Sequence, residues 1–153
     1  RVWFAGDTGY DRDLFREVAR RCGPPDLALL PIGAYEPRWF MAPMHMNPAE
    51  AVQTHLDLGA RHSLAMHWGT VQLTDEARDE PPAALAAARA AAGLPDEAFK
   101  VLAPGASLTV GATHPPPRRD PETLRPARRN DAVHHRVFPL FPPAQPAHII
   151  LHI

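Results

Sequence analysis

The order of segments along these 153 residues predicts an α/β fold with helices packed on a sheet. Two observations carry that prediction. Short apolar runs that end in glycine or a loop alternate with capped, amphipathic stretches of helical period. Apolar residues make up 45% of the chain, enough for one domain with a real core.

Residues 2–5 are apolar and closed by Gly6, which suits a buried strand. Asp11 can cap a helix to about residue 22, since Leu14, Phe15, Val18, Ala19 and Cys22 fall on one face. Gly23 stops that helix, and Pro24 and Pro25 prevent its continuation. Residues 27–32 form the next strand, followed by a long loop over 33–46. Asn47 caps the second helix, with Pro48 at its first position and Glu50 three residues after the cap. Gly59 ends it, and 62–66 is a third strand. An Ala-rich helix over 81–92 ends at Gly93, and 99–102 and 107–110 read as strands.

Beyond Val110 the composition changes. Nine of the nineteen prolines lie between Pro115 and Pro146, among Arg118, Arg119, Arg125, Arg128, Arg129 and Arg136. A domain over 1–110 is therefore expected, with an irregular Pro/Arg-rich tail over 111–153 that buries little apolar surface. Within the tail, 148–153 is apolar again and can pack as a short strand. The chain enters its first strand directly from Arg1, so an upstream portion is expected.

A net charge of -1 argues against wholesale binding of nucleic acid or anionic membrane. The single Cys22 excludes an internal disulfide and fits a reducing, cytoplasmic compartment. No apolar run approaches the roughly 18 residues of a membrane span.

Chemistry in layered α/β folds gathers where strands end in loops. Asp7 lies between Gly6 and Gly9, which give little steric cover. Its carboxylate suits either a metal bridge or the stabilisation of its own turn. His67 follows the third strand and suits a zinc ligand or a loop hydrogen bond. His45, just before the Asn47 cap, can donate a proton, bind a phosphate, or serve only as a loop residue. His55 and His62 read as structural, and a metal role is not expected for His134, His135, His148 or His152. The loop Trp39-Phe40-Met41-Ala42-Pro43-Met44 can touch lipid chains or plug a core. Arg38 can pair with a phosphate or with an internal carboxylate such as Glu36.

Four segments occur in a telling order: Gly6-Asp7-Thr8-Gly9-Tyr10; Pro31-Ile32-Gly33-Ala34-Tyr35-Glu36-Pro37-Arg38-Trp39-Phe40-Met41; His45 through Asn47-Pro48-Ala49-Glu50-Ala51; and His67-Trp68-Gly69-Thr70. Over about residues 2–108 the chain resembles the N-acyl-phosphatidylethanolamine-hydrolysing phospholipase D group of the metallo-β-lactamase superfamily. The resemblance implies about one half, the C-terminal one, of an αβ/βα sandwich, with one sheet face left uncovered. It implies a hydrolase that cleaves a phosphodiester bond of N-acylated phospholipids with two zinc ions. Asp7 would bridge the metals, His67 would be the last histidine ligand, and His45 would be catalytic. Tyr35, Glu36, Arg38, Trp39 and Phe40 would bind substrate, with peripheral membrane contact. The family's other ligands come from an upstream His-x-His-x-Asp-His motif and a further histidine. This sequence lacks that motif, so the chain by itself is expected to hold metal weakly and to be inactive. A lactonase or other phosphoesterase of the same fold, and a non-catalytic fragment, are the alternative readings.

Overall fold

The computed structural model describes residues 1–103 and 105–111 and the backbone of 148–152. Strands β1 (Val2–Phe4), β2 (Leu27–Pro31), β3 (His62–Met66) and β4 (Phe99–Lys100) form one parallel sheet in sequence order. Helices α1 (Arg12–Cys22), α3 (Pro48–Leu58) and α4 (Glu80–Ala91) follow β1, β2 and β3 in turn. Right-handed crossovers that step always in one direction place every helix on the same face. Phe15 of α1, Val52 and Leu58 of α3 and Leu85 of α4 accordingly share one core with Ala28, Leu30 and Ala65 of the sheet. This is the expected α/β layer, one sheet under one layer of helices, as in half of an αβ/βα sandwich.

The helix boundaries follow their caps. The Asp11 carboxylate accepts from the N–H groups of Asp13 and Leu14, both at 3.0 Å. Asn47 and Glu50 close a reciprocal capping box at the start of α3. Gly59 ends α3 at φ 59, a left-handed conformation that costs glycine little. Phe15, 1% exposed, anchors α1 between Trp3 and Tyr10, at ring separations of 5.7 and 5.9 Å. Truncating such a residue costs about 3–5 kcal/mol.

The second sheet face departs from expectation. We expected it uncovered, yet Leu27 and Leu64 on it are fully buried, packed with Val110 and flanked by Leu102 and Leu108. The cover comes from β5 (Ser107–Gly111), which pairs antiparallel with β6 (His148–His152). The expected boundary near Val110 therefore falls inside a strand. The other end of the face does stay open: Val2 is 46% and Phe4 65% exposed. The rest of the Pro/Arg-rich tail, 112–147, lies outside the described residues.

Within the loop over 33–46 the chain forms one helical turn, α2 (Arg38–Met41), entered through a cis Glu36–Pro37 peptide. Among the described residues no helix is long and apolar enough to cross a membrane.

Candidate functional site

In a parallel sheet all strands end at the same edge, so the turns after β1, β2 and β3 are neighbours. Strands lie about 4.8 Å apart, which sets β1 and β3 roughly 10 Å from each other with β2 between. Yet Asp7 Oδ1 and His67 Nε2 approach to 3.3 Å. The two side chains together span that gap, and the turn after β3 also leans over the end of β2. Gly33 makes this possible, because a Cβ there would lie 2.3 Å from the backbone oxygen of His67. Gly9 serves the same end on the other side, where a Cβ would meet the carbonyl oxygens of Ala42 and Pro43 at 2.5 and 2.7 Å. The N–H of Met46 donates to the Thr8 carbonyl at 2.9 Å, tying the β1 turn to the loop that carries His45.

His45 completes the group, its ring centre 5.1 Å from that of His67. Its Nδ1 is buried and makes no hydrogen bond among the described residues. Burial pushes the His45 pKa down and the neighbouring His67 adds to that, while Asp7 and Glu76 pull it back up. His45 is thus a neutral imidazole near pH 7, able to donate one N–H or accept a proton.

The remaining candidate residues divide in two. Arg38, Glu36 and Tyr35 turn inward. Arg38 donates to Glu50 Oε2 at 2.7 Å and to the carbonyl oxygens of His45 and Tyr35 at 2.9 and 3.2 Å. Glu36 accepts from the Arg38 N–H at 2.9 Å, and the buried Tyr35 hydroxyl donates to Glu80 at 2.8 Å. Burial, with Glu80 beside it, pushes the Tyr35 phenol pKa up. Trp39 and Phe40 instead face outward, 83% and 54% exposed. His55 is structural: it is buried, its Nδ1 2.8 Å from Ser63 Oγ, and stacked on Phe99. His62 bonds the Glu97 carbonyl.

Nothing in the local sequence singles out Glu76. Its carboxylate, 8% exposed, accepts from the N–H groups of Ala34 and Glu36 and from the Thr74 hydroxyl. The segment that carries it walls a cleft of about 200 Å³ that opens on His67 and Trp68 and is lined by Ala34, Val71, Leu73 and Arg78.

A carboxylate oxygen and an imidazole nitrogen at this separation suit one edge of a zinc site. They do not complete one: among the described residues no cluster of three or more His, Cys, Asp or Glu could hold a metal ion.

Comparison with known proteins bears on the same stretch. The model of the β-lactamase superfamily domain matches residues 1–68. That stretch carries the chain's likeness to the β-lactamase superfamily. The chain is similar to N-acyl-phosphatidylethanolamine-hydrolyzing phospholipase D 1 of Caenorhabditis elegans, 53% identical over 70 residues, 46% of this chain and 20% of the relative. It is 47% identical over 81 residues to the mitochondrial phospholipase D of that name from Saccharomyces cerevisiae, 52% of this chain and 17% of the relative. An uncharacterized protein of Mycobacterium tuberculosis is 45% identical over 91 residues, 58% of this chain and 24% of that one. The match thus spans about a fifth of these relatives' length.

Proposed function

We propose that Asp7, His67 and His45 are one edge of the active site of a zinc-dependent hydrolase that cleaves a phosphodiester bond in N-acylated phospholipids, a phospholipase D type reaction. One observation carries the reading: the 3.3 Å approach of Asp7 and His67 from strands that are not neighbours. In this reading Asp7 would help hold the metal through its carboxylate and His67 through its imidazole. Two donors are half of what one zinc needs, so the other ligands come from outside the described residues. When bound, zinc supplies a Lewis acid for the phosphate and lowers the pKa of a water.

The chain's own residues do the rest. Neutral His45 donates an N–H toward a phosphate oxygen or the leaving oxygen. Arg38, locked to Glu50, holds the His45 carbonyl and so the loop that presents the ring. Trp39 and Phe40 offer apolar area where acyl chains would lie.

The test is phospholipid cleavage by the protein completed with the missing ligands. Cleavage should need metal and disappear with chelator, and Asp7→Ala should abolish it. A variant that keeps its zinc and its full rate would remove Asp7 from the site. Preference for a soluble lactone over the phospholipid would change the substrate class and leave the metal site standing.

A further inference from the structure

We infer that Glu76 is a positioning residue, whose buried carboxylate clamps the turn after β2 to the segment after β3 and thereby fixes the backbone that presents His67. Its functional consequence rests on the reading of His67 as a ligand.

Ala34 and His67 are the two non-glycine residues with positive φ among the described residues, at 62° and 58°. Each such left-handed residue costs on the order of 1 kcal/mol and persists only where its surroundings impose it. The two lie side by side, since Gly33, the neighbour of Ala34, abuts the carbonyl oxygen of His67. The sheet contributes one tie, the Ile32 N–H to the Met66 carbonyl at 3.1 Å. Beyond that tie the strands have ended; the Asp75 N–H still reaches the Glu36 carbonyl at 3.4 Å, and side chains supply the shorter bonds.

Glu76 supplies the hold. One carboxylate oxygen accepts from the Ala34 N–H at 2.6 Å and the Thr74 hydroxyl at 2.7 Å. The other accepts from the Glu36 N–H at 3.0 Å. Backbone donors at positions 34 and 36 that converge on one carboxylate select the turn that puts Ala34 in the left-handed region. Since Glu76 comes nine residues after His67, the same bonds pin the far end of the segment that begins at His67. Burial disfavours the charged carboxylate, but its hydrogen bonds outweigh that and hold its pKa down. The clamp is therefore an ionised acceptor with three donors, a charge-assisted arrangement. Glu80 reinforces it, accepting from Tyr35 and from the Ala77 N–H.

Glu76→Gln tests this, because the amide matches the shape but cannot accept through its nitrogen. The readout is the nuclear Overhauser cross-peak between the ring protons of His45 and His67, which the 5.1 Å ring separation should produce in the parent chain. Glu76→Gln should lose the cross-peak while amide dispersion shows a folded chain. Thr74→Val, which removes one donor and neither backbone anchor, should keep it. Adding Ala34→Gly to Glu76→Gln should restore it, since glycine adopts φ 62 without the clamp. A folded Glu76→Gln chain with the parental cross-peak overturns the proposal. If Glu76→Gln does not fold, a double variant that recovers neither fold nor cross-peak overturns it. In the completed enzyme Glu76→Gln should lower kcat/KM about 100-fold, mostly in kcat. Absence of hydrolysis in the parent enzyme would remove the proposed function and leave the cross-peak result standing.

Discussion

Replacing Gly33 by alanine places a methyl group where the His67 backbone now is. The new Cβ would sit 2.3 Å from the His67 oxygen and 3.2 Å from the Trp68 Cα, both backbone atoms that cannot rotate away. Ordinary contact begins near 3.4 Å, so the two turns must separate by about 1 Å. Overpacking of this kind costs about 1–3 kcal/mol. In a domain of this size that lowers Tm by roughly 3–13 °C. The functional cost should be larger, since a 1 Å separation stretches a 3.3 Å approach beyond useful range for a shared ion. Gly93→Ala is the control. Gly93 has φ 65 and no atom within 4 Å of a Cβ, so alanine there costs only its left-handed conformation, about 1 kcal/mol. Thermal melts and the zinc content of the completed enzyme decide. Both variants should lose stability, but only Gly33→Ala should lose metal. If Gly33→Ala holds zinc as well as the parent does, the two turns do not meet as described.

Two further expectations follow from the buried polar groups. Burial pushes the His55 pKa down to about 4 from an ordinary 6.5. The unfolded chain then binds the extra proton between those values, so stability is complete above pH 6.5 and falls as pH drops toward 4. The full difference corresponds to at most about 3 kcal/mol, and entry of solvent would reduce it. Urea melts of the parent and of His55→Gln across pH 4–7 should differ in slope; equal slopes would show His55 to be freely protonated. Arg38→Met should cost about 2–3 kcal/mol, because the Tyr35 and His45 carbonyls lose a donor and Glu50 a counter-charge. Arg38→Lys should recover part of it, since an ammonium cannot span all three acceptors. Chemical denaturation checks both, and a neutral Arg38→Met would return Arg38 to the role of a free phosphate ligand.

Much of this architecture was legible in the sequence because local signals agree with the fold. Asp11, Asn47, Gly23 and Gly59 mark helix ends by their own chemistry, and α1 and α3 end where those residues stand. The match of Asp7 and His67 to strand ends was readable for the same reason. What escaped was non-local or too short. A single turn such as α2 is shorter than the period that reveals an amphipathic helix. Burial of Leu27 and Leu64 depends on Val110, some 46 residues or more away along the chain. Glu76 looked like any surface acid in Asp75-Glu76-Ala77-Arg78-Asp79-Glu80, since its partners are the backbone N–H groups of a turn forty residues earlier. The sequence leaves Arg38 either free for a phosphate or paired internally, and the internal pairing is what the fold provides, with Glu50 as its ion-pair partner rather than Glu36.

The most direct measurement is a zinc anomalous-difference map of the completed enzyme. One ion should lie within about 2.2 Å of both an Asp7 oxygen and the His67 Nε2. Zinc bound elsewhere, with Asp7 and His67 still touching only each other, would contradict it.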